Sequence, residues 1–395
     1  MPTPNRKVLR RLAVLALIGA MTSAPRTSVA ADAYVINAIL PLTGSGAFLG
    51  KEEQQALDVM QSNVNAAGGI GGRRLQFAVA DDQSSPKTAV QLASEITAKH
   101  VPIILGSALS ALCSAIMPMV KDGPVLYCFS PGIRPAPNSF VFSSSFSTHD
   151  LIDVSIRYLR LRGLKRIAVM TSTDTSGQEA ERSVDEAAAL TENAGLQIID
   201  REHFNPTDIS ASAQMARVKG SGAQAVIAWT TGSPVGTLLR AVSDVGLSIP
   251  VVTSNGNLTY AQMKQYAGFL PAELIFPAGP CFAPNEIADR ATRTVVNRYL
   301  GFFSAQNLKP DNGNSLAWDP AQLVVDAIRK IGPSATAQQL RAYFGGVTNW
   351  VGINGSYNFK AHPQRGLAEE GVVMVRWDNP KQTWVGISKP GGAPL

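Results

Sequence analysis

The 395-residue sequence has few of the residues that build metal and redox sites. It contains three cysteines (Cys113, Cys128 and Cys281) and four histidines, and none of them falls in a CxxC pair or an HExxH motif. We therefore expect no metal site and no cofactor. An oxidising compartment would permit a Cys113–Cys128 disulfide, with buried free thiols as the alternative.

Outside residues 1–30, the sequence has almost no excess of either positive or negative charge. The chain has 35 Lys+Arg and 29 Asp+Glu, and five of the basic residues but none of the acidic ones lie in 1–30. The remainder is nearly neutral and has no basic stripe, which argues against a nucleic-acid partner. Residues 1–30 have a basic start, the apolar run LAVLALIGAM and then Ser28-Val29-Ala30, the layout of a cleavable secretory signal. The apolar run is too short for a stable membrane anchor.

Strand-like and helix-like segments alternate from Tyr34 onward. The strand YVINAIL is followed by a helix that we expect from Lys51, and the rhythm continues for roughly eight strand–helix units, which predicts parallel sheets covered by helices. From residue 281 the pattern changes to two helices, around 285–306 and 319–331, and a β-rich tail. The length exceeds what one core usually holds, so we expect two lobes.

The stretch ILPLTGSGAFLGKE (39–52) resembles a phosphate-binding loop but does not meet the requirements of one. Gly44 and Gly50 enclose five residues rather than four, and Glu52 follows the lysine where a Ser or Thr is needed. A dinucleotide-binding loop would need an acidic residue about 20 positions further on, whereas Asp81 is far beyond that. We find no GxSxG motif and no pairing of a nucleophile with a base, so we expect no catalytic residues and no enzyme activity.

Several motifs together resemble the periplasmic leucine/isoleucine/valine-binding proteins, the solute-binding components of ABC importers. They are PLTG, NAAGGIGGRR, DDQSSPKTA, ILGSALSALCSAIMPMV and SPG, within a resemblance that covers about 34–390. The resemblance implies an α/β type I periplasmic binding protein, with two Rossmann-like doubly wound lobes, three crossovers and a ligand cleft between the lobes. The crossovers are expected near 143–147, 276–279 and 352–355. The implied lobes are 31–145 plus 279–353, and 146–278 plus 354–395.

The resemblance also implies which residues of the first lobe contact the ligand. A serine near the start of the helix after Gly-Ser meets the ligand carboxylate, which here is Ser110 or, as the alternative, Ser107. The implied first-lobe contacts are Phe48, Leu49, Ser107, Leu109, Ser110, Ser130, Gly132 and Arg134. Arg134 stands where the amino-acid binders have a threonine. Its guanidinium would pair with a carboxylate, unless the side chain turns to solvent.

In the second lobe, the resemblance implies ligand contacts from Asp174, Thr175, Ser176, Trp229, Thr230 and Asn255. Asn255 stands where the amino-acid binders carry the acid that holds the ligand ammonium, and an unpaired desolvated ammonium is costly. Phe48 and Trp229 would add aromatic surface, although Trp229 could equally be a core residue.

We therefore expect a periplasmic solute-binding protein that delivers a small, aromatic carboxylate without an α-ammonium to the permease subunits of an ABC importer. We expect it to be a monomer without a cofactor. One alternative is a member of the same family that binds branched-chain or other amino acids. A second alternative is a ligand sensor or regulator built on the same receptor fold.

Overall fold

The structure, a computed structural model, describes residues 33–143 and 145–395. The predicted secretory signal at 1–30 lies outside these residues. Within the described part of the chain, no helix is both long enough and apolar enough to cross a membrane.

The first sheet is entirely parallel and has the strand order β2-β1-β3-β4-β5. Its strands are β1 (Tyr34–Leu40), β2 (Leu75–Asp81), β3 (Ile103–Gly106), β4 (Val125–Cys128) and β5 (Val141–Ser143). The central strands β3 and β4 are buried along their whole length. Such continuous apolar runs are typical of parallel strands that are covered by helices on both faces.

The second sheet has the strand order β14-β13-β10-β9-β8-β6-β7. Its parallel strands are β6 (Arg166–Ser172), β7 (Gln197–Phe204), β8 (Ala225–Trp229), β9 (Val251–Val252) and β10 (Leu274–Ala278). Two antiparallel strands, β13 (Val373–Asp378) and β14 (Thr383–Gly386), extend one edge. A separate hairpin is formed by β11 (Thr348–Gly352) and β12 (Gly355–Asn358). Two parallel-sheet lobes of this kind make the type I periplasmic binding protein fold that the resemblance implies.

Eleven α-helices lie among the described residues. They are α1 (Ala47–Ala66), α2 (Pro86–Thr97), α3 (Ser110–Ile116), α4 (Thr148–Leu161), α5 (Thr175–Ala188), α6 (Ser212–Gly220), α7 (Pro234–Asp244), α8 (Tyr260–Gln265), α9 (Arg290–Ser304), α10 (Asn312–Ile331) and α11 (Ala337–Gly346). Short 3₁₀ turns occur at Met117–Val120, Thr191–Asn193, Asn255–Asn257, Pro280–Phe282, Pro284–Glu286 and Glu369–Gly371. Helix α1 begins four residues earlier than the Lys51 start that we expect, so Phe48 and Leu49 lie in its first turn.

The chain passes between the sheets along three connections. The first joins β5 to α4, which packs on the second sheet, and the second joins β10 to α9, which packs on α1 of the first lobe. The third lies between β12 and β13. The predicted lobe bounds stay a prediction, but the boundary expected at 353/354 falls inside the β11–β12 hairpin. Phe359 beyond it packs on Phe142, and the carbonyl of Gln364 accepts a hydrogen bond from the Ser143 N–H, so this segment adjoins the first sheet.

Cys113 and Cys128 form a disulfide that ties α3 to β4, with their Cα atoms 6.2 Å apart. The structure thus has the bonded form of the two alternatives that the sequence leaves open. Cys281 is a buried free thiol, and burial raises its pKa to about 12. A thiol that stays protonated is a poor nucleophile.

Candidate ligand-binding cleft

The carboxyl ends of the parallel strands in the two sheets face a common cleft. One part of this cleft, the inner pocket, is lined by Leu49, Ala108, Ser110, Pro131, Gly132, Thr148, Ser176, Trp229, Thr231, Ser254, Asn255, Gly256 and Leu316. Most of these residues lie at the ends of β3, β4, β6, β8 and β9 or in the loops and helix turns that follow. Ligands of open α/β sheets bind in this crevice beyond the strand carboxyl ends.

The inner pocket is nearly closed in this structure. Its volume is about 10 Å³, which is room for a single water molecule. It adjoins an outer chamber of about 230 Å³, which shares Ser110, Ser176 and Thr231 with it. A ligand can therefore enter the inner pocket only if the lobes separate or side chains move.

Larger cavities of about 370 and 420 Å³ lie elsewhere. One is formed by the connections between the sheets, around Phe146 and Asn354, and another lies beside α1 and α10. Neither gathers the strand carboxyl ends of both sheets, so size alone does not identify the ligand site.

The two lobes contact each other at the rim of the cleft. The Ser45 carbonyl accepts a hydrogen bond from the backbone N–H of Ser233 at 2.9 Å. Gly232 has φ +89°, and a Cβ there would lie 2.4 Å from the same carbonyl oxygen, so this approach requires glycine. Phe48, which we expect to line the cleft, instead packs edge-on against Tyr266 of the second lobe, with ring centroids 6.4 Å apart. It lines neither the inner pocket nor the outer chamber.

The inner pocket is polar but uncharged. Its lining contains five hydroxyl-bearing side chains and one amide, together with the apolar side chains of Leu49, Trp229 and Leu316, and no acidic or basic side chain among the described residues. The Asn255 side chain is 5% exposed. Neither its amide nor the indole N–H of Trp229 forms a hydrogen bond within 33–143 and 145–395. Both groups therefore remain available to a ligand.

The sequence leaves open whether Ser107 or Ser110 contacts the ligand, and the two serines have different surroundings in the structure. The Ser107 hydroxyl is buried and accepts a hydrogen bond from the Leu109 N–H at 3.0 Å, so it stabilises its own turn. Ser110 lines both the inner pocket and the outer chamber, and Leu109 lines the outer chamber. Ser130 lies behind Ser110, with the two hydroxyl oxygens 2.9 Å apart.

Arg134 does not line the cleft, which corrects its expected role as a partner of the ligand carboxylate. Its guanidinium donates to Glu179 at 2.7 Å and to both carboxylate oxygens of Glu186 at 2.9 and 2.8 Å. The hydrogen bonds with Glu186 and Glu179 raise the pKa of Arg134, and those from Arg134 lower the pKa of Glu186. Because both glutamates lie on α5, Arg134 connects the loop after β4 to the second lobe.

The predicted residues of the second lobe divide between the pocket and its surroundings. Ser176, Trp229 and Asn255 line the inner pocket. Asp174 lines the outer chamber and caps α5, since its carboxylate accepts from the Gly177 N–H at 3.1 Å. Thr175 and Thr230 line neither space.

Sequence reasoning missed several pocket residues, among them Thr148, Thr231, Ser254 and Leu316. It also missed Asn257, which is fully buried and joins two loops. The Asn257 amide donates to the Thr230 carbonyl at 2.7 Å, and its oxygen accepts from the Gly232 N–H at 3.1 Å. The signal was present, because TTG and TSNGN both follow strands of the second sheet.

Two buried carboxyl groups lie outside the lining of the inner pocket. Glu53 accepts a hydrogen bond from the Ala108 N–H at 3.0 Å, and burial raises its pKa well above the ordinary value. Burial also raises the pKa of Asp82, to about 7. No cluster of His, Cys, Asp and Glu suited to a metal ion occurs in the described residues.

Known proteins resemble this chain along most of its length. The sequence model of the periplasmic binding protein family matches residues 34–382. The leucine-, isoleucine-, valine-, threonine-, and alanine-binding protein of Pseudomonas aeruginosa is 24% identical, over 85% of this chain and 90% of the relative. An extracellular ligand-binding receptor of Rhodopseudomonas palustris has the same fold, with a TM-score of 0.79 at 18% identity, over 89% of this chain and 99% of the other. A fatty acid ABC transporter substrate-binding protein of Thermomonospora curvata has a TM-score of 0.75 at 18% identity, over 90% and 91%. The proteins that it resembles are binding proteins rather than enzymes, and the chain belongs to the periplasmic binding protein family as a solute-binding receptor.

Proposed function

We propose that this receptor captures a small organic carboxylate that lacks an α-ammonium group and has an aromatic body, and delivers it to the permease of an ABC importer in the cell envelope. The observation that carries the proposal is the lining of the inner pocket, which combines several hydrogen-bond donors with no acidic side chain.

The donors of the inner pocket suit an anionic oxygen ligand. The hydroxyls of Ser110 and Ser176, the indole N–H of Trp229 and the amide of Asn255 all belong to its lining. Hydrogen bonds from neutral donors to a charged acceptor are worth about 1.5–3 kcal/mol each. A carboxylate can thus be held without a lysine or arginine, which agrees with the engagement of Arg134 by the two glutamates.

The absence of an acid in the lining argues against an α-ammonium. Asn255 stands where the amino-acid binders carry the acid that holds the ligand ammonium, and its amide oxygen is a neutral acceptor. Glu53 does not compensate, since it lies behind Ala108 and burial favours its neutral form. An ammonium in the inner pocket would lose its water shell and gain only neutral acceptors there, which costs several kcal/mol. The acid of the outer chamber, Asp174, is already engaged as the cap of α5, since it accepts from the Ser172 hydroxyl at 2.7 Å and from the Gly177 N–H at 3.1 Å.

The apolar part of the lining supports an aromatic or similarly compact body. Leu49, Leu316 and the ring of Trp229 form the apolar surface of the inner pocket. The adjoining outer chamber of about 230 Å³ limits the ligand to a small molecule.

Export to the periplasm is part of the proposal. The disulfide between Cys113 and Cys128 fits an oxidising compartment. The name of the Thermomonospora protein indicates that a receptor of this fold can serve a transporter of carboxylic acids.

A receptor for branched-chain or other amino acids is the second candidate. It is favoured by the name of the Pseudomonas aeruginosa relative, which binds leucine, isoleucine, valine, threonine and alanine. In this case Asn255 would have to receive the ligand ammonium on its amide oxygen.

Calorimetry with matched ligand pairs separates the two candidates. Phenylglyoxylate is compared with phenylglycine, and 4-methyl-2-oxopentanoate with leucine, since each pair differs only at the α-position. We expect the keto acid of a pair to bind about a hundredfold more tightly, because the ammonium of its partner remains unpaired. Tighter binding of leucine and phenylglycine would overturn the carboxylate proposal.

Variants test the role of Asn255 directly. Asn255→Asp should weaken the keto acids and strengthen the amino acids, since it returns a carboxylate to the pocket. Asn307→Asp adds the same charge at an exposed position and should leave both affinities unchanged.

A further inference from the structure

Three hydroxyl groups of the second lobe form a continuous hydrogen-bonded chain that leads into the cleft. The Ser176 and Thr231 oxygens are 3.0 Å apart, and the Thr231 and Ser254 oxygens are 3.2 Å apart. At the far end, the Ser254 oxygen accepts a hydrogen bond from the Gly256 N–H at 3.1 Å. These residues belong to the first turn of α5 and to the loops after β8 and β9, so the chain joins three separate segments.

The backbone N–H at the far end sets the direction of this chain. Ser254 is 3% exposed and already accepts from Gly256, so its own proton must go to another acceptor. Within the described residues, that acceptor is the oxygen of Thr231. Thr231 then donates to Ser176, and the Ser176 proton is left to point into the cleft. The opposite direction would leave the buried Ser254 proton without an acceptor, which is unfavourable.

The first lobe has a shorter chain of the same kind. The Ser130 oxygen accepts from the Gly132 N–H at 3.2 Å and lies 2.9 Å from the Ser110 oxygen. Ser130 is fully buried, so its proton goes to Ser110, and the Ser110 proton also faces the cleft. Ser110 and Ser176 both line the inner pocket and the outer chamber.

We propose that the chain Ser176–Thr231–Ser254 is the second-lobe half of a carboxylate site, completed by Ser110 from the first lobe. Each lobe contributes a hydroxyl proton that a fixed backbone N–H directs towards the cleft, and one carboxylate accepts from both. Ser176 donates to the ligand. Thr231 and Ser254 also line the inner pocket, but their protons are engaged along the chain, so they act as positioning residues through Ser176. This inference rests on the proposed carboxylate ligand and identifies the residues that select an acid over its neutral amide.

The selection follows from the direction of the hydrogen bonds. With one donor on each oxygen, a carboxylate matches both donors, whereas a primary amide in the same pose places its NH₂ group against one of them. Linked hydroxyls also polarise one another, so loss of an inner member weakens the last donor. The acid, but not the amide, should therefore depend on Thr231.

The test compares acids with their amides in variants of Thr231. Calorimetry is performed with phenylglyoxylate and its primary amide, and with leucine and leucinamide. Thr231→Val keeps the shape of the side chain and removes the hydroxyl, and Thr231→Ser retains it. Thr294→Val makes the same change at an exposed position of α9, away from the cleft, and serves as the matched control.

We expect Thr231→Val to weaken the acid roughly tenfold and the amide less than about threefold, as for one hydrogen bond to a charged group. Thr231→Ser and Thr294→Val should stay within about threefold of the wild type for both probes. Ser176→Ala, which removes the last donor, should reproduce the loss if Thr231→Val folds poorly. Equal losses for acid and amide, or no loss for either, would overturn the inference and reduce the chain to a structural role.

The outcome also separates this inference from the proposed function. If leucine binds and phenylglyoxylate does not, the proposed ligand class is wrong, and the hydroxyl chain is then judged on leucine against leucinamide. If the wild type prefers neither acid to its amide, both the ligand class and the carboxylate site are wrong.

Discussion

Arg134 should control the closure of the lobes without contacting the ligand. Arg134 lies in the loop after β4 of the first sheet. Its guanidinium forms ion pairs with Glu179 and Glu186 on α5 of the second lobe. These ion pairs exist only when the lobes are together, so Arg134→Ala should destabilise the closed arrangement selectively. The inner pocket itself would be unchanged, because Arg134 does not line it.

The size of the effect follows from the exposure of the three side chains. Arg134 and Glu186 are 42% and 38% exposed, and such a pair contributes about 0.2–1 kcal/mol. The carboxylate of Glu179 is only 6% exposed, so its hydrogen bond from Arg134 adds about 1–1.5 kcal/mol. A total of roughly 1.2–2.5 kcal/mol lowers the ratio of closed to open protein about 8- to 70-fold. The apparent Kd then rises by up to the same factor.

Calorimetry with two chemically different ligands, at about 50 mM and about 500 mM salt, tests this reasoning. The loss in Arg134→Ala should be the same for both ligands and should shrink at high salt. Arg182→Ala removes a pair to Glu179 that stays within α5, so it should change the affinity little. A loss confined to carboxylate ligands would show instead that Arg134 contacts the ligand, and an unchanged Kd would refute the role in closure.

Two further predictions concern Gly132, which lies beside Ser110, and the buried carboxyl group of Asp82. In Gly132→Ala, the new Cβ would lie 2.2 Å from the Ser110 oxygen, so the displaced hydroxyl should cost acid affinity roughly tenfold or more in calorimetry; an unchanged Kd would contradict the placement of Ser110. For Asp82, burial raises the native pKa to about 7 from about 3.9 in the unfolded chain. Between these values the native state binds more protons, so the free energy of unfolding falls as the pH rises. Asp82→Asn keeps the oxygen that accepts from the Ser84 N–H and removes this titration. In urea unfolding, the wild type should therefore lose stability relative to the variant between about pH 5 and about pH 7.5, whereas parallel slopes would contradict the raised pKa.

The sequence predicted the strands well because their pattern is local. The expected strand at 34–40 coincides with β1, since an apolar run bounded by turns carries its own signal. Helix α2 begins in a similarly local way, because Ser85 is its N-cap and Pro86 its first residue.

Helix starts that depend on glycine or on polar caps were harder to predict. Helix α10 begins at Asn312 rather than near residue 319, because Asp311 and Asn314 form a capping box in a stretch that otherwise has a loop composition. Helix α11 was missed, although Thr336 and Gln339 form a capping box with the usual spacing.

The site was predictable to the level of its loops but not of its side-chain partners. Ser110 and Asn255 could be identified from their places after strands. In contrast, the choice of Ser110 over Ser107 depends on a hydrogen bond to the Leu109 backbone. Arg134 has partners 45 and 52 positions away on another lobe, and Thr231 joins Ser176 to Ser254 across three segments. Such pairings arise only from the tertiary arrangement.

The distribution of charge in the cleft assigns different roles to its interior and its rim. The inner pocket holds neutral donors, whose hydrogen bonds to a buried anion are little affected by salt. The ion pairs of Arg134 lie at a more exposed position and connect the lobes. Ligand selection and lobe closure thus rest on separate groups, and ionic strength should act on closure far more than on selection. If the acid-to-amide ratio stays constant with salt while the overall affinity falls, the two contributions are independent, as the separation of these residues implies.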